Sequence, residues 1–156
     1  AALEPWWHQY TDDDRARAEA CLSQMGVGRF ADHQLGTMSS GEQQRVFLAR
    51  TLMNDPGVIL LDEPSARLDL GGREQLVHAL GELAAHGAAP VCLVTHHVDE
   101  IPPEIDHVLL LRRGAVLAQG PIGATLTSES LSDCFEMPLQ LDRRPDGRYT
   151  AWRATR

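Results

Sequence analysis

The feature that most limits the fold is a four-residue apolar run, Val58-Ile59-Leu60-Leu61, that ends on Asp62-Glu63-Pro64. Asp55-Pro56-Gly57 breaks the chain just before it. A run this short, bounded by a turn and by acids, predicts a strand buried on both faces, as in a parallel sheet. The pattern returns at Val91-Cys92-Leu93-Val94, which ends on Thr95-His96-His97. Between the two runs, a stretch from about Gly72 to His86 spaces Leu76, Val77, Leu80 and Leu83 for one face of a helix. Strand, helix, strand places the chain in the α/β class.

Upstream, Thr11 followed by Asp12, Asp13 and Asp14 predicts a helix start, with carboxylates against the positive end of the dipole. That helix is expected to reach Met25 and stop at Gly26. After a loop through Asp32, Gly36 and Thr37, Ser39 or Ser40 caps a second helix carrying Val46, Leu48, Ala49, Leu52 and Met53. Downstream, His107–Leu111 and Ala115–Ala118 around Arg112-Arg113-Gly114 predict a hairpin. Two short helices follow, from Pro121 to about Leu126 and from Ser128 to about Phe135, and a second hairpin pairs Leu139–Leu141 with Tyr149–Trp152.

Composition narrows the function classes. The 156 residues fit one ordinary domain and carry a net charge of -8, which disfavours polyanionic partners such as nucleic acid. Cys21, Cys92 and Cys134 are far apart and form no CxxC, so they read as reduced, buried thiols of a cytosolic protein. No apolar run approaches the roughly 20 residues of a membrane-spanning helix, and the opening residues have no basic and apolar regions of a signal peptide.

Three features carry chemistry. A buried strand ending in Asp62 and Glu63 delivers two carboxylates to the sheet edge where open α/β folds bind ligands. The first suits Mg²⁺ and the second an attacking water. Alone, the run is equally well a strand that ends at an acidic turn. A histidine after the second strand lies on the same edge, although a loop histidine needs no function. Met38-Ser39-Ser40-Gly41-Glu42 at a helix start offers unpaired backbone N–H groups to an anion, but an ordinary serine cap looks the same.

Taken in order and spacing, these segments resemble the second half of an ABC-transporter nucleotide-binding domain, over most of residues 11 to 127. Met38 to Glu42 matches the LSGGQ signature, and Gln43-Gln44-Arg45 the residues that usually follow it. Val58 to Glu63 matches the Walker B strand, and Ser65-Ala66-Arg67-Leu68-Asp69 the D-loop. Thr95-His96, then Glu100, matches the switch-histidine segment, with His97 as the alternative switch residue. The chain departs from the pattern at Met38, at Ser40 in place of a second glycine, at Glu42 in place of glutamine, at Arg67 and at His97.

The resemblance implies a partial P-loop NTPase (ABC ATPase) fold: an incomplete helical subdomain, a parallel-sheet core and C-terminal hairpins. Its implied divisions are residues 1–53 for the helical subdomain with the signature, 54–127 for the catalytic half, and 128–156 for a C-terminal extension. It implies ATP and Mg²⁺, with Asp62 toward the metal, Glu63 on the water and His96 on the γ-phosphate. Ser39, Ser40, Gly41 and Glu42 are implied to act in trans on the partner's nucleotide, and Ser65 and Asp69 to join the dimer contact.

The implied partners are a second ABC ATPase subunit, head to tail, and a transmembrane permease subunit, with the chain peripheral on the cytoplasmic face of the membrane. The general look leans towards bacterial importers of the metal-chelate kind, and Trp6 and Trp7 are candidates for the permease-docking surface. The phosphate loop G-x-x-x-x-G-K-[ST] cannot be present, because all 14 basic residues are Arg. The chain is therefore expected to begin inside the helical subdomain and to be inactive alone. The alternatives are a catalytically dead truncated module and a non-transport ABC protein.

Overall fold

The computed structural model describes residues 10–87 and 89–155. Trp6 and Trp7 lie outside the described residues. Helix α1 spans Asp12–Gln24 and is opened by a reciprocal cap: the Asp14 amide donates to the Thr11 hydroxyl while the Asp14 carboxylate takes the Thr11 amide. It closes at Gly26, whose φ of +67° is the left-handed turn that favours glycine. Single 3-10 turns at Gly28–Phe30 and Leu35–Thr37 lead into α2, Ser40–Leu52.

Strand β1 (Ile59–Asp62) and strand β2 (Val91–Val94) pair in parallel, with Ile59 opposite Val91 and Asp62 opposite Val94. Helix α3, Leu70–His86, makes the crossover between them. Helix α1 packs on α2 and α2 on α3. Met25, Val27, Leu48, Ile59, Leu76 and Leu83 are the buried centre of this half, with Leu61 and Leu93 against them.

After the 3-10 turn Val98–Glu100, β3 (His107–Arg112) and β4 (Ala115–Pro121) form an antiparallel hairpin with an irregularity between Leu110 and Leu111. Short α4 (Ile122–Thr125) and α5 (Ser128–Phe135) follow. The hairpin of β5 (Leu139–Arg143) and β6 (Tyr149–Arg153) comes last. Leu110, Ile122, Leu126, Leu131 and Tyr149 make a second core.

Two expectations need correction. The strands are not buried on both faces: Ile59 is 2% exposed but Leu60 is 71% exposed, and Val58 and Val94 are also open. The helices cover one face of a two-stranded sheet, so alternate residues reach solvent. The same geometry exposes Cys92, which was expected to be buried. The first core joins Met25 and Leu48 to Ile59 and Leu76, and the second joins Leu110 to Leu131 and Tyr149.

Candidate functional site

Parallel pairing in register brings the C-terminal ends of β1 and β2 side by side. The pairing runs one residue past β1, where the Glu63 amide donates to the Val94 carbonyl at 2.9 Å. There the backbone turns into the left-handed region, with φ of +43° at Glu63. For a residue with a Cβ this costs about 1–2 kcal/mol, a local strain of the kind that gathers at functional sites. The Glu63 carboxylate meets the ring of His96: Oε1 and Nδ1 are 2.7 Å apart across 33 positions of sequence. Both side chains remain about half exposed, so the pair is open to a ligand. With Nδ1 directed at the carboxylate, the other ring nitrogen makes no hydrogen bond among the described residues.

The loop around His96 is tied down on either side. The Thr95 hydroxyl donates to Glu100 Oε2 at 2.9 Å and accepts from the His97 amide at 3.0 Å. The His97 ring lies against that of His96, centroids 4.0 Å apart. It is thus His96, not the alternative His97, whose imidazole reaches Glu63. Asp62 ends β1 as an exposed residue, and its carboxylate has no hydrogen bond or ion pair among the described residues. Its hard oxygens and those of Glu63 suit Mg²⁺, which commonly takes one or two carboxylates and completes its shell with phosphate and water. Among the described residues no group of three acids, histidines or cysteines could hold a metal ion unaided. The donor set therefore fits a metal that arrives with a phosphate ligand, with Asp62 as the free carboxylate.

The signature segment is built from local bonds. Ser39 caps α2: its hydroxyl accepts from the Glu42 amide at 3.3 Å, and Glu42 Oε2 takes the Ser39 amide and hydroxyl, each at 2.9 Å. Arg29 stands 3.5 Å from the other oxygen. The Ser39 amide, then its hydroxyl, then Arg29 hold the Glu42 carboxyl below the usual carboxylate range. Ser40 is exposed on the first turn. Gly41 is buried against α3: a Cβ there would stand 2.9 Å from the Gly72 Cα. Gly72 in turn donates its amide to Asp69 Oδ1 at 2.8 Å, the cap of α3. Ser65 is buried, and its carbonyl accepts from the Leu68 amide at 3.0 Å.

The structure therefore gathers the residues singled out above into two sets. Glu63 and His96 meet at the strand ends beside Asp62, and the start of α2 meets the start of α3 through Gly41, Gly72 and Asp69. Among the described residues no hydrogen bond or ion pair joins the two sets. Sequence reasoning missed the Gly41–Gly72 approach, for which the glycine pair Gly71-Gly72 was the available signal. It also missed the burial of Arg45, whose guanidinium loses basicity chiefly through desolvation.

Comparison with known proteins places these segments. Residues 2–66 match the family described as ABC transporter, a span that holds the signature, Asp62, Glu63 and Ser65 but stops short of Asp69 and His96. The chain is 40% identical over 130 residues to an uncharacterised ABC transporter ATP-binding protein of Bacillus subtilis (strain 168), covering 83% of this chain and 49% of that protein. Its fold matches that of a transporter assigned to the metal-chelate type and solved in an inward-facing conformation. That match has a TM-score of 0.78 and 24% identity over 94% of this chain and 59% of the other. At 30% identity and a TM-score of 0.59 it matches a dimeric ATP-binding cassette bound to ADP and Pi in a post-hydrolysis state, covering 76% of this chain and 51% of the cassette. The chain spans about half the length of the curated relatives it matches. With an ABC cassette fold, the signature and the acid-ended strand all in place, the chain belongs to the ABC ATPase nucleotide-binding family.

Proposed function

We propose that the chain supplies the signature and Walker B half of an ATP-hydrolysing subunit that energises a membrane transporter. The observation that carries this reading is the 2.7 Å contact between Glu63 and His96 at the exits of two parallel strands. Glu63 is the group on the attacking water, which it orients or deprotonates. His96 holds that carboxylate through Nδ1 and turns its outer nitrogen to the γ-phosphate. Asp62 is the ligand for Mg²⁺, which neutralises phosphate charge when bound with ATP. A general base of this kind is typically worth ~10²- to 10⁴-fold in rate.

Ser39, Ser40, Gly41 and Glu42 act in trans on nucleotide held by a second ATPase subunit, and Ser65 and Asp69 belong to the contact between the two. Three features support this: the separation of the two sets within one chain, the helix tip at Ser39–Gly41, and the dimeric state of the cassette matched at 30% identity. The remaining partner is a permease in the membrane. No described helix is long and apolar enough to cross a membrane; the subunit docks on the permease from the cytoplasmic face. Likeness to the metal-chelate-type transporter extends to the fold alone at 24% identity and does not choose the cargo.

The decisive experiment compares ATP turnover by the complete subunit with that of Glu63→Gln. The reading requires a large loss in kcat with ATP binding kept. Wild-type turnover by Glu63→Gln would end it. The 156-residue chain alone, with no lysine for a phosphate loop, is expected to turn over no ATP.

A further inference from the structure

The loop that carries His96 is held from the far end of the chain. After His97 the backbone makes the single 3-10 turn Val98–Glu100 and enters the second core, where Val98, Ile101 and Ile105 pack. Arg148, one residue before β6, reaches this turn and is only 8% exposed. Its Nε donates to the Asp99 carbonyl at 3.1 Å, and its Nη2 bonds the same oxygen. Nη2 also donates to Glu74 Oε1 of α3 at 3.1 Å, and Nη1 bonds Glu74 Oε2. A buried guanidinium is tolerated when its N–H groups are met in this way, and a forked pair adds directional precision.

The residue next to Glu74 also faces the turn, at ion-pair distance with no hydrogen bond formed. Arg73 Nε stands 3.4 Å from Glu100 Oε1, and Arg73 Nη1 stands 3.7 Å from Asp99 Oδ2. Glu100, 4% exposed, passes the constraint to Thr95 through the 2.9 Å bond from its hydroxyl. Thr95 and His97 are joined to each other at 3.0 Å, and His96 is the residue between them. A continuous path thus runs from the C-terminal hairpin to the residues flanking His96: the Arg148 bonds to the Asp99 carbonyl, the peptide link from Asp99 to Glu100, and the Glu100–Thr95 hydrogen bond. The charges respond as such a clamp requires: Arg148 holds Glu74 below the usual carboxylate range, and Glu74 raises Arg148.

We propose that Arg148 is a positioning residue for His96. By tying the C-terminal hairpin to the Asp99 carbonyl and to Glu74, it sets where the Thr95–Glu100 loop stands and so keeps the imidazole on Glu63. The hairpin is then part of the device that aligns the strand-end pair, not a trailing extension. The catalytic consequence rests on the function proposed above; the positioning itself does not.

The test uses the complete subunit with Arg148→Leu, Arg148→Lys and Glu74→Gln. Four quantities are read: kcat and KM for ATP, the melting temperature, and the NMR chemical shift of the His96 imidazole at one fixed pH, identified by its loss in His96→Gln. Glu63 and His97 are the side chains in contact with that ring. Arg148→Leu is expected to lower kcat about tenfold with KM changed less than about twofold, since small displacements of a reacting group are costly. It should also move the His96 signal while leaving those of His33 and His86 in place, and Arg148→Lys should recover part of both effects.

If Arg148→Leu does not fold, Glu74→Gln carries the same readouts, with a fall in kcat of about threefold. A lower melting temperature with kcat and the His96 signal both unchanged, below the melting range, would reduce Arg148 to a structural clamp and overturn the proposal. A displaced His96 signal in a subunit whose wild type hydrolyses no ATP would uphold the positioning and sink the functional reading instead.

Discussion

The strand-end pair and the signature tip are assembled in opposite ways. Glu63 and His96 lie 33 residues apart and meet only because β1 and β2 align in register. Ser39 and Glu42 lie three residues apart and satisfy one another within a single helical turn. The first arrangement is half exposed, sits on a left-handed residue and depends on distant packing. The second is a local cap that any stable α2 would retain. The part expected to carry the chemistry is thus the part the rest of the molecule must hold in place, while the part expected to bind a partner's nucleotide is preformed.

The largest effect that would sharpen this contrast is on turnover. Glu63→Gln in the complete subunit is expected to reduce kcat by ~10²- to 10⁴-fold, whereas Ser40→Ala, on the exposed first turn of α2, should leave the melting temperature nearly unchanged. Next comes Gly41→Ala. Alanine favours a helix by about 1 kcal/mol, but its Cβ would stand 2.9 Å from the Gly72 backbone. Steric repulsion should win and cost a net 1–2 kcal/mol or so, within the usual range for overpacking. Gly123→Ala in α4, where nothing lies within 4 Å of the added carbon, is the control and should not destabilise. Equal melting temperatures for the two would show that α2 and α3 do not rely on that close approach.

Removing the cap is expected to matter less. Ser39→Ala should lower stability by about 1 kcal/mol in chemical denaturation, the usual loss at an N-cap, without moving Glu63 or His96. A disturbed His96 NMR signal in Ser39→Ala would break the separation between the two regions. The smallest effect is in acid. The folded state holds Glu42 below its ordinary value of 4.5. Its contribution is therefore complete above that value and is lost as pH falls through the lower folded value. The melting-temperature gap between wild type and Glu42→Gln should accordingly shrink as the pH is taken below that ordinary value. A gap that widens on acidification would mean that the carboxylate is not the stabilising form.

How much was legible beforehand follows the same division. The predicted start at Thr11 and stop at Gly26 agree with α1, because both signals act within one turn of the chain. β2 falls at Val91–Val94 as predicted, and α5 falls at Ser128–Phe135. Leu76, Val77, Leu80 and Leu83 are buried as their spacing predicts. The strands were read as buried on both faces because an apolar run does not report which of its faces is covered, and Leu60 proved open. Glu63 and His96 could be named from their places after two apolar runs, but their contact could not. It depends on the pairing register and on the backbone turn at Glu63, neither of which has a local signal.

What the sequence by itself determined are the features written into neighbouring residues: the caps, the breaks, the helix faces and the order of the family segments. These depend on interactions a few residues long, so composition and spacing carry them. Only the tertiary structure decided which strand face stays open, that Gly41 touches Gly72, that His96 rather than His97 reaches Glu63, and that Arg148 grips the turn beyond them. Each of those depends on how separately formed elements are packed together, and a one-dimensional pattern does not encode distances between elements far apart along the chain.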